Sequence, residues 1–310
     1  MTDRDPPSSY DFVPIVDRQP LRFPNGARIV LLPTLNIEYW EEVRPGQKEP
    51  MVTGGPMTLP HALPGDVWDS ANWTWREYGQ RVGVWRVFDL CDRLGIAMSC
   101  TVNGLTLTER PRIVEAVKER GWEIVPHNWA QNEVLTDFAY EPAAERDVIV
   151  RTLDAYERVV GRRAKAWLST GMRSSRHTPA FLKELGVIAF CDYLNDDQPY
   201  LIDTVNGPIV CVPYQNDVND FNIFSRGGMS PAAGTETLIR CFDQLYAEGE
   251  HGGRIMNVGL HPHVVGQPHR IGALGEFLEY AKAQPGVWFA TREEIAAWYL
   301  ENHDEHIPPS

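Results

Sequence analysis

The sequence predicts an α/β fold, built as a distorted (β/α) barrel of seven or eight strands, and three observations predict it. Short apolar runs alternate with helical stripes along most of the chain. The runs are continuous rather than alternating, as strands covered on both faces should be. Polar and ionisable residues cluster where the runs end, and parallel α/β folds bind ligands beyond the carboxyl ends of their strands. A doubly wound open sheet is the runner-up, but no glycine-rich dinucleotide fingerprint follows the first strand. With 310 residues, 43% hydrophobic, the chain can fill one large core.

Residues 1–26 are rich in proline and poor in apolar periodicity, and read as an irregular N-terminal arm. A single barrel domain is expected over 27–302, with a flexible tail over 303–310. Ala27 to Leu32 forms the first strand and runs out through Asn36 and Glu38. From 42 to 75 the chain is rich in Pro, Gly and Trp without a clear period. A loop that long in a compact domain is usually functional, often a lid. A helical stripe from Val82 to Leu94 is closed by Gly95. Ile96 to Val102 is the second strand, Pro111 to Arg120 a short helix, and Trp122 to Val125 the third strand, which stops at Pro126-His127-Asn128-Trp129. Helix 142–160 leads to a strand over Ala164 to Leu168 that ends at Thr170 and Arg173. Thr178 is expected to cap the next helix, with Pro179 at its first position. Val187 to Cys191 then ends at Asp192, and Ile209 to Val212 ends at Pro213-Tyr214. A helix over 234–249 precedes the strand Ile255 to Leu260, which stops at His261-Pro262-His263. A helix from about Arg270, a strand Val287 to Ala290 and a helix from Thr291 to Leu300 complete the series.

Composition removes several function classes. A net charge of −13 without any Lys/Arg cluster argues against a nucleic-acid partner. No apolar run approaches the ~18 residues of a membrane span, and Met1 to Ser9 carries no signal-peptide core. The five cysteines (Cys91, Cys100, Cys191, Cys211, Cys241) lack CxxC spacing and read as reduced core residues of a cytoplasmic protein. The expected partner is a small-molecule substrate. No GxSxG motif and no Cys beside a His support acyl-enzyme chemistry.

The strand ends gather Asn36 and Glu38, His127 and Gln131, Thr170 and Arg173, Asp192 with Asp196 and Asp197, Tyr214 with Asn219 and Asp220, and His261 with His263. Carboxylates with imidazoles suit hydrolysis by general acid and base. They suit a divalent metal equally well.

In its ordered segments the chain resembles the polysaccharide deacetylase-like superfamily (carbohydrate esterase family four), and within it the branch of metal-independent allantoinases and related cyclic-amide hydrolases. The segments are Asn36-Ile37-Glu38, Glu77-Tyr78-Gly79, Gly83-Val84-Trp85-Arg86, the His127 turn, Trp167 to Arg173, Asp196-Asp197-Gln198-Pro199-Tyr200, Val212-Pro213-Tyr214 with Asn219-Asp220, Gly259-Leu260-His261, Gly266-Gln267-Pro268-His269-Arg270 and Val287 to Glu293. The sugar deacetylases of that superfamily carry an Asp-Asp pair and a His-x-x-x-His turn that hold a metal. Here Asn36-Ile37-Glu38 and His127…Gln131 stand in their places, and Gln131 is a poor zinc ligand. The resemblance therefore implies that no metal is required, with a divalent ion such as zinc on Glu38, His127 and His261 as the alternative.

The same resemblance implies roles. Glu38 is the general base and His261 the general acid, oriented by an acidic neighbour such as Asp192 or Asp196, while His127 positions the substrate or polarises its carbonyl. Arg173 is expected to meet a substrate carboxylate or imide oxygen. Tyr214 and Asn219 would donate to a developing oxyanion. Asn36, Gln131, His263 and Trp129 complete the pocket, and Asp197 supports its turn. The implied activity is hydrolysis of a C–N bond in a small cyclic amide, imide or ureide, by a homo-oligomer. Metal-dependent deacetylation of N-acetylated sugars and a catalytically silent binding protein are the alternatives.

Overall fold

The computed structural model describes residues 8–41 and 67–307; residues 42–66 of the expected loop, 1–7 of the arm and 308–310 of the tail lie outside the described residues. The described part of the arm begins with β1 (Ser8–Ser9) and leads into β2 (Ile29–Ile37). Two helices follow, α1 (Ser70–Tyr78) and α2 (Val84–Leu94), joined by one π-helical turn. Then come β3 (Ser99–Val102), α3 (Gly104–Glu109), α4 (Pro111–Glu119), β4 (Glu123–Pro126) and α5 (Pro142–Val160). The middle of the chain gives β5 (Ala166–Trp167), α6 (Thr178–Glu184), β6 (Ala189–Phe190), β7 (Tyr200–Thr204) and β8 (Ile209–Cys211). The last third gives α7 (Pro231–Glu248), β9 (Arg254–Leu260), α8 (Ile271–Lys282), β10 (Val287–Phe289) and α9 (Arg292–Asn302).

The parallel strands form two curved sheets. In one, β9 pairs with β2 along Ile29 to Leu35, while β10 and β3 share the other edge of β2 and β4 follows β3. In the other, β5, β6 and β8 run parallel, and β7 and β1 add antiparallel strands beyond β8. The sheets meet at one seam where Leu168 N donates to Pro126 O at 3.3 Å. At the opposite seam a side chain substitutes for a ladder. The Gln215 amide donates to Ile255 O at 3.0 Å and accepts from Asn257 N at 2.9 Å, as a strand residue's backbone would. The result is the expected α/β architecture of parallel strands covered by helices.

The core is divided by the strand period. On β2, Ile29, Leu31, Leu35 and Ile37 face the helices, while Val30 and Leu32 join an inner cluster with Val125, Ala166, Leu168, Cys191, Val212, Tyr214 and Ile255. Towards the carboxyl end the inward positions turn polar, through Thr34 and Asn36 to Glu38. At the other end α9 closes the barrel floor. Glu123 there accepts hydrogen bonds from Arg292 N, Glu293 N and the Ser99 hydroxyl.

Several expectations need correction. Residues 70–75 are helix, not loop, because Asp69 caps α1 by accepting from Asn72 N. The buried residues of α1 are Asn72 and Arg76, so no apolar stripe announced it. His177, not Thr178, occupies the N-cap position of α6, and the Thr178 hydroxyl instead accepts from Ser175 N and donates to Glu145. α3 and β7 were not anticipated, and β5 and β6 are two-residue strands. Residues 303–307 form a turn that seats His306 beside Tyr299 and Gln198, so this part of the tail is packed. No described helix is long and apolar enough to cross a membrane. All five cysteines are free, and burial pushes the Cys91 thiol up to about 12.

Candidate active site

Strand parity delivers the site. On β2 the inward series 30, 32, 34, 36 continues to Glu38; on β4 it passes from Glu123 and Val125 to His127; on β9 it passes from Ile255, Asn257 and Gly259 to His261. Each of these three residues is the first inward position beyond its strand, and all three line one cavity of about 610 Å³. Gly259 must be glycine. A Cβ there would fall 2.0 Å from the Tyr214 hydroxyl oxygen, which fills the space above it.

The Glu38 carboxylate lies between two imidazoles. Its Oε1 is 3.4 Å from His261 Nε2 and 4.0 Å from His127 Nε2. The far nitrogens fix both rings. His127 Nδ1 lies 2.6 Å from Leu168 O, so it carries the proton and leaves Nε2 as an acceptor towards Glu38. His261 Nδ1 lies 2.6 Å from Asp220, whose carboxylate also accepts from His261 N at 2.7 Å and Val265 N at 3.2 Å.

Electrostatics separate the three histidines. Burial alone would depress His261, but Glu38 and Asp220 outweigh it and raise the ring to about 10, so it is an imidazolium at neutral pH. His127 is lowered, by burial first and only partly offset by Glu38, and is neutral. His263 falls well below its ordinary value through burial and the positive charges of His261 and Arg76. Its ring stands edge-on to Trp75 at 4.5 Å and Trp40 at 6.0 Å between centroids.

A buried arginine enters this site from α1. Arg76 lies 4.7 Å over the Trp40 ring and 5.4 Å over Trp75, and burial lowers it to about 10 while Glu38 and Asp69 pull it upward. The π-turn behind it presses the helix pair onto the His261–His263 loop. A Cβ at Gly79 would sit 2.6 Å from His263 N, and one at Gly83 would sit 2.0 Å from Pro262 O. Such π-turns recur at functional sites.

The structure brings most of the expected residues to the cavity: Asn36, Glu38, His127, Gln131, Arg173, Tyr214, Asn219, His261 and His263 all line it, and Met172 joins them. Asn36 is also structural, donating to Leu260 O and accepting from Thr101. Asn219 donates to the Tyr214 hydroxyl at 2.8 Å, and burial pushes that phenol up to about 12. The Gln131 side-chain oxygen is buried with no partner among the described residues.

Other assignments fail. The acid that orients His261 is Asp220, not Asp192 or Asp196. Asp192 accepts from Ser169 N at 2.6 Å and is raised to about 6 by burial, so it braces the end of β5. Asp196 pairs with Arg18 of the arm at 2.6 Å, and Asp197 accepts from Gln215 at 2.9 Å. Trp129 is turned out of the cavity because Asn128 adopts a left-handed φ of 51°, which breaks the inward register. Its ring packs instead on Gly104, where a Cβ would meet it at 2.4 Å, and beneath Arg151. His269, in the turn before α8, is exposed and does not line the cavity.

The donor set does not fit a catalytic zinc. A catalytic zinc usually takes three protein ligands. Gln131 offers only a neutral amide. Among the described residues no three His, Cys, Asp or Glu groups are arranged to hold a metal ion.

No family model matches the chain. It is 31% identical over 248 residues to a Schizosaccharomyces pombe protein assigned as a polysaccharide deacetylase, covering 73% of this chain and 75% of that one. The structure superimposes on one from Pseudomonas aeruginosa PAO1, also assigned as a polysaccharide deacetylase, with TM-score 0.82 and 29% identity, covering 91% of this chain and 94% of that one. It matches the crystal structure of the allantoinase PuuE with TM-score 0.81 and 30% identity, over 91% of this chain and 93% of that one.

Proposed function

The chain belongs to the polysaccharide deacetylase superfamily of hydrolases, and from that premise we propose that it opens a C–N bond in a small cyclic amide, imide or ureide, using water and no metal. The observation that carries this reading is the Asp220–His261–Glu38 array over one cavity, 2.6 Å across its first contact and 3.4 Å across its second.

Glu38 takes a proton from water as the oxygen bonds to the amide carbon. Tyr214, with Asn219 behind it, and the His261 imidazolium face the cavity in which the carbonyl oxygen gains charge. His261 then gives its Nε2 proton to the leaving nitrogen, and the C–N bond breaks to a carboxylic acid and an amine or urea nitrogen. Glu38 is left protonated and His261 neutral. The 3.4 Å between Oε1 and Nε2 lets that proton return to His261, which restores both groups for the next cycle. Neutral His127, whose Nε2 can only accept, takes a hydrogen bond from a substrate N–H or from the attacking water on the other side of Glu38. The cavity volume falls in the range of small-molecule sites.

A substrate panel tests the proposal: hydantoin, dihydrouracil, succinimide and allantoin on one side, N-acetylated sugars on the other, each with chelator and with added zinc. Turnover of at least one cyclic amide, unchanged by chelator, is expected. Activity confined to acetylated sugars and dependent on zinc would overturn it in favour of metal-dependent deacetylation. Silence across the whole panel would overturn it in favour of a binding protein on the same fold.

A further inference from the structure

The cavity wall is charged against the trend of the chain. The protein carries 42 acidic residues against 29 Lys and Arg. Yet among the described residues lining the cavity Glu38 is the one carboxylate, whereas Arg76, Arg173 and Arg226 all reach it. Several surface arginines elsewhere are matched with acids: Arg146 with Glu184, Arg151 with Glu133, Arg162 with Glu293 and Arg240 with Glu236. Arg173 is exposed and its guanidinium makes no ion pair or hydrogen bond among the described residues. Arg226 has a neutral partner, Asn222 at 3.2 Å, and lies 5.3 Å over the Phe221 ring, which is itself 6.0 Å from the His261 ring.

Both arginines are fixed to catalytic elements. Arg173 closes the turn after β5, where Gly171 and Met172 both adopt left-handed φ, of 60° and 54°. Left-handed backbone at a methionine costs energy and recurs where side-chain placement matters. Thr170 of that turn donates to His127 O at 3.3 Å. Arg226 ends the π-turn that begins just after Asp220. A guanidinium presents a planar fork suited to two carboxylate oxygens. Left unmatched at the mouth of an acidic protein's cavity, it also draws anions inward.

We propose that the substrate carries a carboxylate in addition to the bond that is cut, and that Arg173, with Arg226, holds it. The idea rests on the C–N hydrolase reading for its chemistry, but its binding component stands apart. Hydantoin and 5-carboxymethylhydantoin differ by one carboxymethyl arm, which carries the carboxylate. The wild-type protein is expected to favour the carboxylated compound in kcat/KM by roughly tenfold or more, the worth of one charge-assisted contact. In Arg173→Gln the preference should shrink at least severalfold, through KM rather than kcat, and it should also shrink as salt rises. Arg112→Gln, a surface control paired with Glu119, should leave the preference in place. Equal use of both compounds by the wild type, or an equal loss for both in Arg173→Gln, would overturn the proposal. Calorimetric binding of the two compounds to Glu38→Gln separates failures. Tighter binding of the carboxylated compound without any turnover by the wild type would sink the hydrolase reading and keep this one. No binding preference would sink this one whatever the turnover.

Discussion

Two glutamates occupy opposite ends of one barrel, and each is 7% exposed. Glu123, at the floor, is engaged by the fold: two backbone N–H groups at the start of α9 and the Ser99 hydroxyl all donate to it. Glu38, at the mouth, faces imidazole nitrogens at 3.4 and 4.0 Å and borders a cavity. Burial is the same and the use is not. A buried carboxylate held by three donors of the fold is a fastener, since most of its acceptor sites are committed. One held among proton carriers with room beside it can accept a proton from a guest molecule.

The largest test of that contrast is Glu38→Gln. The amide keeps the shape and loses the base, so kcat should fall by about 10²–10⁴, with the melting temperature nearly unchanged. His261→Ala should lose a similar factor by removing the acid. Steady-state kinetics beside thermal melts reads both effects, and full turnover in either folded variant would remove the assigned role. Next in size is Asp220→Asn. His261 acts as acid only while protonated, so kcat/KM should hold through neutral pH and fall as pH climbs towards about 10. Deleting the Asp220 charge weakens the hold on the imidazolium. The basic limb should therefore move down by about 1–3 units. A basic limb that stays put in Asp220→Asn would mean that another group carries it.

The same contrast shows what could be read from the chain alone. Glu38, His127 and His261 were legible because a period of two running along a buried strand fixes the side of the next residue beyond its end. Asp192 misled because its predecessor Cys191 points inward, so the acid itself turns towards Ser169 N. Asp196 misled because its partner, Arg18, comes from 178 residues away in the arm. Arg76 was hidden in a helix whose buried face is polar. One signal did exist: Gly79 and Gly83, four apart, mark a helix face that admits another backbone, here the turn around Pro262. The link from Asp220 to His261 joins a loop to a strand end 41 residues later, and no local pattern encodes it.

The smallest effect is expected at the floor, and it sharpens the contrast most. Glu123→Gln retains one carbonyl oxygen and places an amide N–H₂ where three donors converge. At least one of those buried donors then loses its acceptor, a cost of about 1–3 kcal/mol. The negative charge at the first turn of α9 also disappears, a further ~0.3–1 kcal/mol. The Thr291–Glu294 capping box remains and limits the damage to the helix start. The melting temperature should drop by several degrees, and kcat should hold within about twofold, because neither Glu38 nor His261 touches the floor. Thermal melts and kinetics on one preparation decide the matter. If Glu123→Gln lowered kcat as far as Glu38→Gln does, the two ends of the barrel would be coupled, and engagement by the fold's own donors would no longer distinguish a fastener from a base.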